Sequence, residues 1–208
     1  MTDPANTLPA LDPRTTAIIN IHWQRDIVTR EGAFGPFFAA EVESRDIIAR
    51  AARALSTARR YGALVIYARA AFRPGYPDLI RNCALWEQVA ATQSLQEGTP
   101  GAEIIPELTP EAEDPIVTHA RLSAFQGTEL ELMLRGRGVA NVLLAGVATN
   151  IAVESTARDA VGLGYRTSIV ADVCAAANGP AHDATLATFG LLGSIMNSTD
   201  LAAAFGAG

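Results

Sequence analysis

Apolar runs rich in β-branched residues alternate along this chain with stretches whose apolar positions recur at helical spacing. The first run, TTAIINI at 15–21, is nearly uninterrupted, the pattern of a strand covered on both faces. ALVIYAR (63–69), PIVTH (115–119), NVLLAGV (141–147), YRTSIVAD (165–172) and SIMNS (194–198) predict five further strands. Between them, Val42, Ile47, Ile48, Ala51, Leu55 and Ala58 share one helical face and predict a helix over 39–61, closed by Gly62. Helices are also predicted for GTELELMLRGRG ending at Gly138, for Asn150 to Leu163 before Gly164, for PAHDATLATFGLLG with its leading proline, and for LAAAF. The connection from Ala70 to Pro115 carries six of the eleven prolines and has room for a short helix at 83–92. A link this long in a compact domain marks a functional segment or an insertion.

Strict strand–helix alternation argues for an α/β fold, a doubly wound parallel sheet in a three-layer α/β/α sandwich with right-handed crossovers. No composition break or repeat divides it. Residues 1–14 read as a loose, Pro-rich lead-in and 15–208 as one domain. Ligands of such sheets bind beyond the carboxyl ends of the strands, where the strand order reverses.

Composition narrows the function. The 208 residues are 49% hydrophobic and 18% charged, with a net charge of −6. All 16 basic residues are arginines. There is no basic stripe for a phosphate backbone, so nucleic acid is not an expected partner. No apolar run reaches the roughly 20 residues that cross a bilayer, so no membrane partner is expected, and the first residues lack the cationic and apolar regions of a secretory signal. Two cysteines, Cys83 and Cys174, form no CxxC pair and suit a reducing, cytoplasmic setting. Neither GxGxxG after the first strand nor GxxxxGK[ST] occurs, which removes dinucleotide and P-loop readings.

Three strand ends carry candidate chemistry. His22, Trp23 and Gln24 follow the first run, His119 ends the third and is followed by Arg121, Ser123 and Phe125, and the fourth runs into AGVATNIA. A lone histidine is usually a satisfied, half-buried side chain. Two at strand ends on the ligand edge are candidates for acid–base work. His182, in a helix's first turn, reads as structural. Trp23, Phe34, Phe37, Phe38, Phe72 and Phe125 are candidates for an apolar pocket or for ordinary core.

The segment SAFQGTEL…LRGRG…AGVATN…TARDA…GY…DVCAA, together with HWQRDIV and YARAAFRPGYPD, resembles the isochorismatase-like hydrolases, the superfamily of nicotinamidases and other cysteine amidases. The resemblance covers almost the whole chain. It implies strand order 3-2-1-4-5-6, dimers or tetramers, and a small-molecule substrate. It also implies an aspartate–lysine–cysteine triad, whose matching positions here are His22, His119 and Ala152. All three are replaced, and a chain without lysine has no substitute for the second. Isochorismatases proper lack the cysteine as well but keep the aspartate. The metal-site positions of some nicotinamidases match Ala70 and Phe72, so no metal or other cofactor is expected. The family's turn carries a cis peptide, here Val147–Ala148, with the amides of Ala148 and Ala152 forming an oxyanion site.

Without a thiolate, cleavage needs an activated water. The leading expectation is a cofactor-free hydrolase or lyase in which His22 and His119 trade a proton. Arg121 or the surviving amides would hold an anionic group, and Trp23, Gln24, Phe72, Arg121, Phe125, Thr149 and Asn150 would line the pocket. Two alternatives stay open: a non-catalytic protein that binds a small acid, and a metal-dependent hydrolase in which both histidines and a carboxylate such as Asp26 hold zinc.

Overall fold

The computed structural model describes residues 10–206. Six parallel strands form one sheet: β1 (Thr16–Ile21), β2 (Leu64–Ala70), β3 (Ile116–His119), β4 (Asn141–Val147), β5 (Arg166–Ala175) and β6 (Ser194–Met196). Their order is β3-β2-β1-β4-β5-β6, so the reversal lies between β1 and β4, paired from Thr16/Asn141 to Ile21/Gly146.

Alternate strand residues feed two separate cores. Ala17, Ile19 and Ile21 of β1 and Val142 and Leu144 of β4 face one core, while Ile18, Leu143, Ala145 and Val147 face the other. α5 (Leu130–Gly136), α6 (Glu154–Gly162) and, through Phe189, α7 (Gly179–Phe189) cover the first core. α1 (Arg25–Val28), α2 (Gly35–Ser44), α3 (Ile47–Tyr61), α4 (Ala84–Thr92) and α8 (Leu201–Gly206) cover the second. Burial on both sides is why the strands read as apolar runs rather than as alternations.

Three details depart from the expected elements. The helix expected over 39–61 is two, α2 and α3, because the polar Ser44-Arg45-Asp46 link turns the chain. Asp46 sits in the left-handed region at φ 52°, a conformation that aspartate tolerates better than most residues. The helix expected from Asn150 begins as a wide π turn over Thr149–Val153 before α6 takes over. The end of the lead-in is not loose: Leu11 is buried and its amide donates to the Ala204 carbonyl at 3.0 Å. Residues 1–9, the rest of that lead-in, lie outside the described residues. No helix among the described residues is long and apolar enough to cross a membrane.

Candidate active site

β1 and β3 flank β2, so their ends stand two strand spacings apart, roughly 10 Å. β2 ends there in Ala70, which is too small to fill the gap. His22 and His119 reach across it until their Nε2 atoms are 3.0 Å apart. The rings are 15° from parallel with centroids 4.9 Å apart, an offset stack that brings these nitrogens together. The chain leaves β1 sharply at His22, whose φ of 62° is left-handed. Such a value is uncommon outside glycine, though histidine adopts it more readily than most.

Hydrogen-bond partners assign the tautomers. His119 Nδ1 lies 2.9 Å from the Arg121 carbonyl, which can only accept, so this nitrogen carries the proton. His119 Nε2 is therefore the acceptor, and His22 Nε2–H donates to it. Both rings are held neutral. Burial pushes His119 down to about 4, against the opposing pull of the Arg121 carbonyl. Burial, then the neighbouring His119, lowers His22 well below the usual histidine range, while the Val147 carbonyl favours its protonated form.

A cavity of about 50 Å³ opens beside His22. A water needs roughly 10–15 Å³ of such space, so it suits a small molecule. Its wall is apolar: Ile27, Phe34 and Phe38, with Leu85, Trp86, Val89 and Leu95 from the long 70–115 connection. Val147, Ala148, Ile151 and Ala152 bring the β4 turn to the same space, and Arg121 and Leu122 close the rim. The Val147–Ala148 peptide is cis. The Ala148 amide donates to no group among the described residues and belongs to a residue that borders the cavity. Gly146, two residues earlier in β4, cannot carry a side chain. Its φ is 131°, and an added Cβ would meet the Ile21 carbonyl oxygen at 2.0 Å.

Of the residues expected in the pocket, Arg121 borders the cavity beside His22, Ala148 and Ala152. The others do not line it. Gln24 is fully buried and completes the sheet instead: its Nε2 donates to Ala70 O (2.7 Å) and Ala102 O (2.9 Å), and its Oε1 accepts from Ala70 N (2.8 Å). Trp23 is buried in the core. Phe72 lies behind the wall, edge-on to Trp86 at 5.6 Å. Phe125 packs on Tyr165 in the opposite core, because the chain after β3 crosses to that face. Thr149 is buried and bonded away from the cavity, and Asn150 is exposed. Of the other phenylalanines, Phe34 and Phe38 line the cavity, whereas Phe37 is 51% exposed.

The carboxylate expected to join a metal is already engaged. Asp26 accepts from the Leu95 amide at 2.7 Å and packs against Gly101, which tethers one cavity wall. No group of three His, Cys, Asp or Glu residues among the described residues comes together as a metal site. Cys174 is buried in β5 with its thiol pushed up to about 12 by burial, and Cys83 is exposed before α4.

His182, read from sequence as structural, sits next to the turn. Its Nδ1 lies 2.9 Å from Thr149 Oγ1 and its Nε2 3.2 Å from the Arg45 guanidinium. A guanidinium only donates, so His182 Nε2 accepts and Nδ1–H donates to Thr149. Burial and the Arg45 charge lower its pKa, consistent with this neutral tautomer. The link joins α2, which carries Phe38, to the turn that carries Ala148.

The isochorismatase domain model matches residues 16–200. The chain belongs to the isochorismatase family. YwoC of Bacillus subtilis, an isochorismatase family protein, is 32% identical over 87% of this chain and 88% of its own length. A ureidoacrylate amidohydrolase, RutB of Methylobacterium radiotolerans, is 34% identical over 81% of this chain and 70% of its own. The crystal structure of a cysteine hydrolase from Pseudomonas syringae superposes with a TM-score of 0.88 at 27% identity, covering 99% of both chains. This isochorismatase-family chain therefore shares the architecture of hydrolases. It carries a methyl group, Ala152, at the position that family resemblance gives to the thiol.

Proposed function

We propose that this protein is an isochorismatase-family hydrolase that works without a cysteine nucleophile, with His22 and His119 handling the proton of an attacking water. The observation that carries the reading is the 3.0 Å contact between two neutral imidazoles, of which His22 lines a small cavity, near the Ala148 amide, which has no acceptor among the described residues. With Nε2–H of His22 given to His119, the lone pair left on the pair is that of His22 Nδ1, and the Val147 carbonyl favours a proton gained by that ring.

In this scheme the water oxygen bonds to the substrate carbonyl carbon as His22 takes the water's proton. The carbonyl π electrons move to its oxygen, which the Ala148 amide holds. The positive charge gained by His22 is spread towards His119 through the Nε2–H···Nε2 bond and is favoured by the Val147 carbonyl. Collapse of the adduct breaks the bond to the leaving group, which takes the proton back. One water is consumed and both imidazoles return neutral. The name of the RutB relative puts amide cleavage first among the bonds to test.

The test is a screen of small amides, ureides, esters and vinyl ethers on the wild type, His22→Ala and His119→Ala. Turnover is expected in the wild type and a fall of about 100-fold or more in each variant, the usual worth of a general acid–base group. Equal rates in all three proteins refute the proposal and leave a small-molecule-binding protein.

A further inference from the structure

We propose that the substrate of this site is uncharged and apolar beyond its reacting carbonyl, a short aliphatic amide whose hydrocarbon tail fills the cavity. This rests on the hydrolase reading of the same site and names its substrate class.

The cavity holds no charge for an ion to meet. Among the described residues that line it, Arg121 alone is charged, since His22 is neutral. The Arg121 guanidinium is spent elsewhere. Its Nη1 donates to the main-chain carbonyls of Asp78 (3.2 Å) and Ala120. Both residues line a neighbouring polar cleft, which also collects Arg73 and Glu97. The charges of this region are therefore gathered in the cleft, and the cavity is left to Phe34, Phe38, Leu85, Trp86 and Val89. Even the β4 turn adds only the hydrocarbon of Val147, Ile151 and Ala152. A carboxylate or ammonium placed here would lose its water without gaining a partner. A hydrocarbon tail loses nothing, and the carbonyl at its end meets the side lined by His22 and Ala148.

Size and product fit the same class. At roughly 10–15 Å³ for each water-sized group, the cavity of about 50 Å³ suits a tail of only a few carbons. Hydrolysis consumes one water, breaks the C–N bond and yields a carboxylic acid and ammonia. The acid ionises at neutral pH, so the product acquires the charge that the apolar wall rejects and leaves.

The experiment titrates the full chain with acetamide, propionamide, isobutyramide and hexanamide, then with isobutyrate and lactamide, followed by ¹H–¹⁵N NMR shifts at Val89, Ala148 and Ala152. Affinity is expected to rise about fourfold per added carbon up to isobutyramide, the value of burying one such group, with no further gain for hexanamide. Leu85→Ala, a change at a half-buried wall position, should carry the rise on to hexanamide. Lactamide, which puts a hydroxyl in place of one methyl of isobutyramide, should bind about tenfold more weakly. Isobutyrate, the anionic isostere, should enter only when protonated. It should bind about 100-fold more weakly than the amide near neutral pH and gain about tenfold in apparent affinity for each pH unit of acidification. That arm runs from about pH 8 to about pH 6, above the range in which His119 takes up a proton, near 4. Isobutyrate binding as well as isobutyramide, with an affinity that ignores pH, overturns the proposal. So does affinity that ignores tail length, or a length limit that Leu85→Ala leaves unmoved. The two readings fail separately. Selective binding of the neutral amides by a wild type that turns over no substrate removes the hydrolase reading alone. Turnover that depends on His22 but prefers substrates bearing a carboxylate removes this one alone.

Discussion

Replacing His119 by glutamine exposes the cost of burying an imidazole against His22. In the unfolded chain this ring takes up its proton near 6.5, and in the fold only near 4. Between those values the unfolded chain binds a proton that the native state refuses, so stability falls as the pH falls; below about pH 4 both states bind it and the slope ends. At about 1.4 kcal/mol per pH unit the interval amounts to about 3 kcal/mol. Urea denaturation in steps from pH 7 to pH 3.5 measures it. Carboxylates titrate alike in wild type and variant and cancel in the difference. His22 adds in the same direction, since losing its neighbour relieves part of its own depression. The wild type is therefore expected to lose about 3 kcal/mol more than His119→Gln on acidification. Parallel curves for the two proteins refute the tight enclosure of the ring and, with it, the neutral pair.

Two further perturbations address the supports of the site. Asp26→Ala leaves the Leu95 amide without its acceptor and is expected to cost about 1–3 kcal/mol in urea denaturation, with Asp26→Asn, which still offers an oxygen, recovering most of it. His182→Ala strands Thr149 and Arg45 together and is expected to cost a similar amount, about 1–3 kcal/mol; His182→Gln, able to donate and accept at once, should restore most of the melting temperature.

The strands were legible because burial on both faces writes uninterrupted apolar runs, and the two histidines stood out by ending such runs. The cavity wall was harder to read. Leu85, Trp86, Val89 and Leu95 come from a connection with no sustained period, and only the folded chain shows which of its apolar side chains turn inward. Gln24 and Phe72 sit beside the site in sequence but serve the sheet and the back of the wall. The particular link made by His182 was not legible, because its partners, Arg45 and Thr149, are 137 and 33 residues away in the chain, and nothing local marks such a contact. The break between α2 and α3 was signalled by Ser44-Arg45-Asp46 but masked by the helical spacing on either side.

The alanine at 152 has a bearing on how such a protein endures its surroundings. A sulfur atom at that turn is open to peroxide, to alkylating compounds and to soft heavy ions, any of which would silence it. A methyl group offers them nothing, and the one buried thiol, Cys174, is shut inside β5. Of the chain's two thiols only Cys83 is exposed to such reagents, and it lies outside the cavity lining.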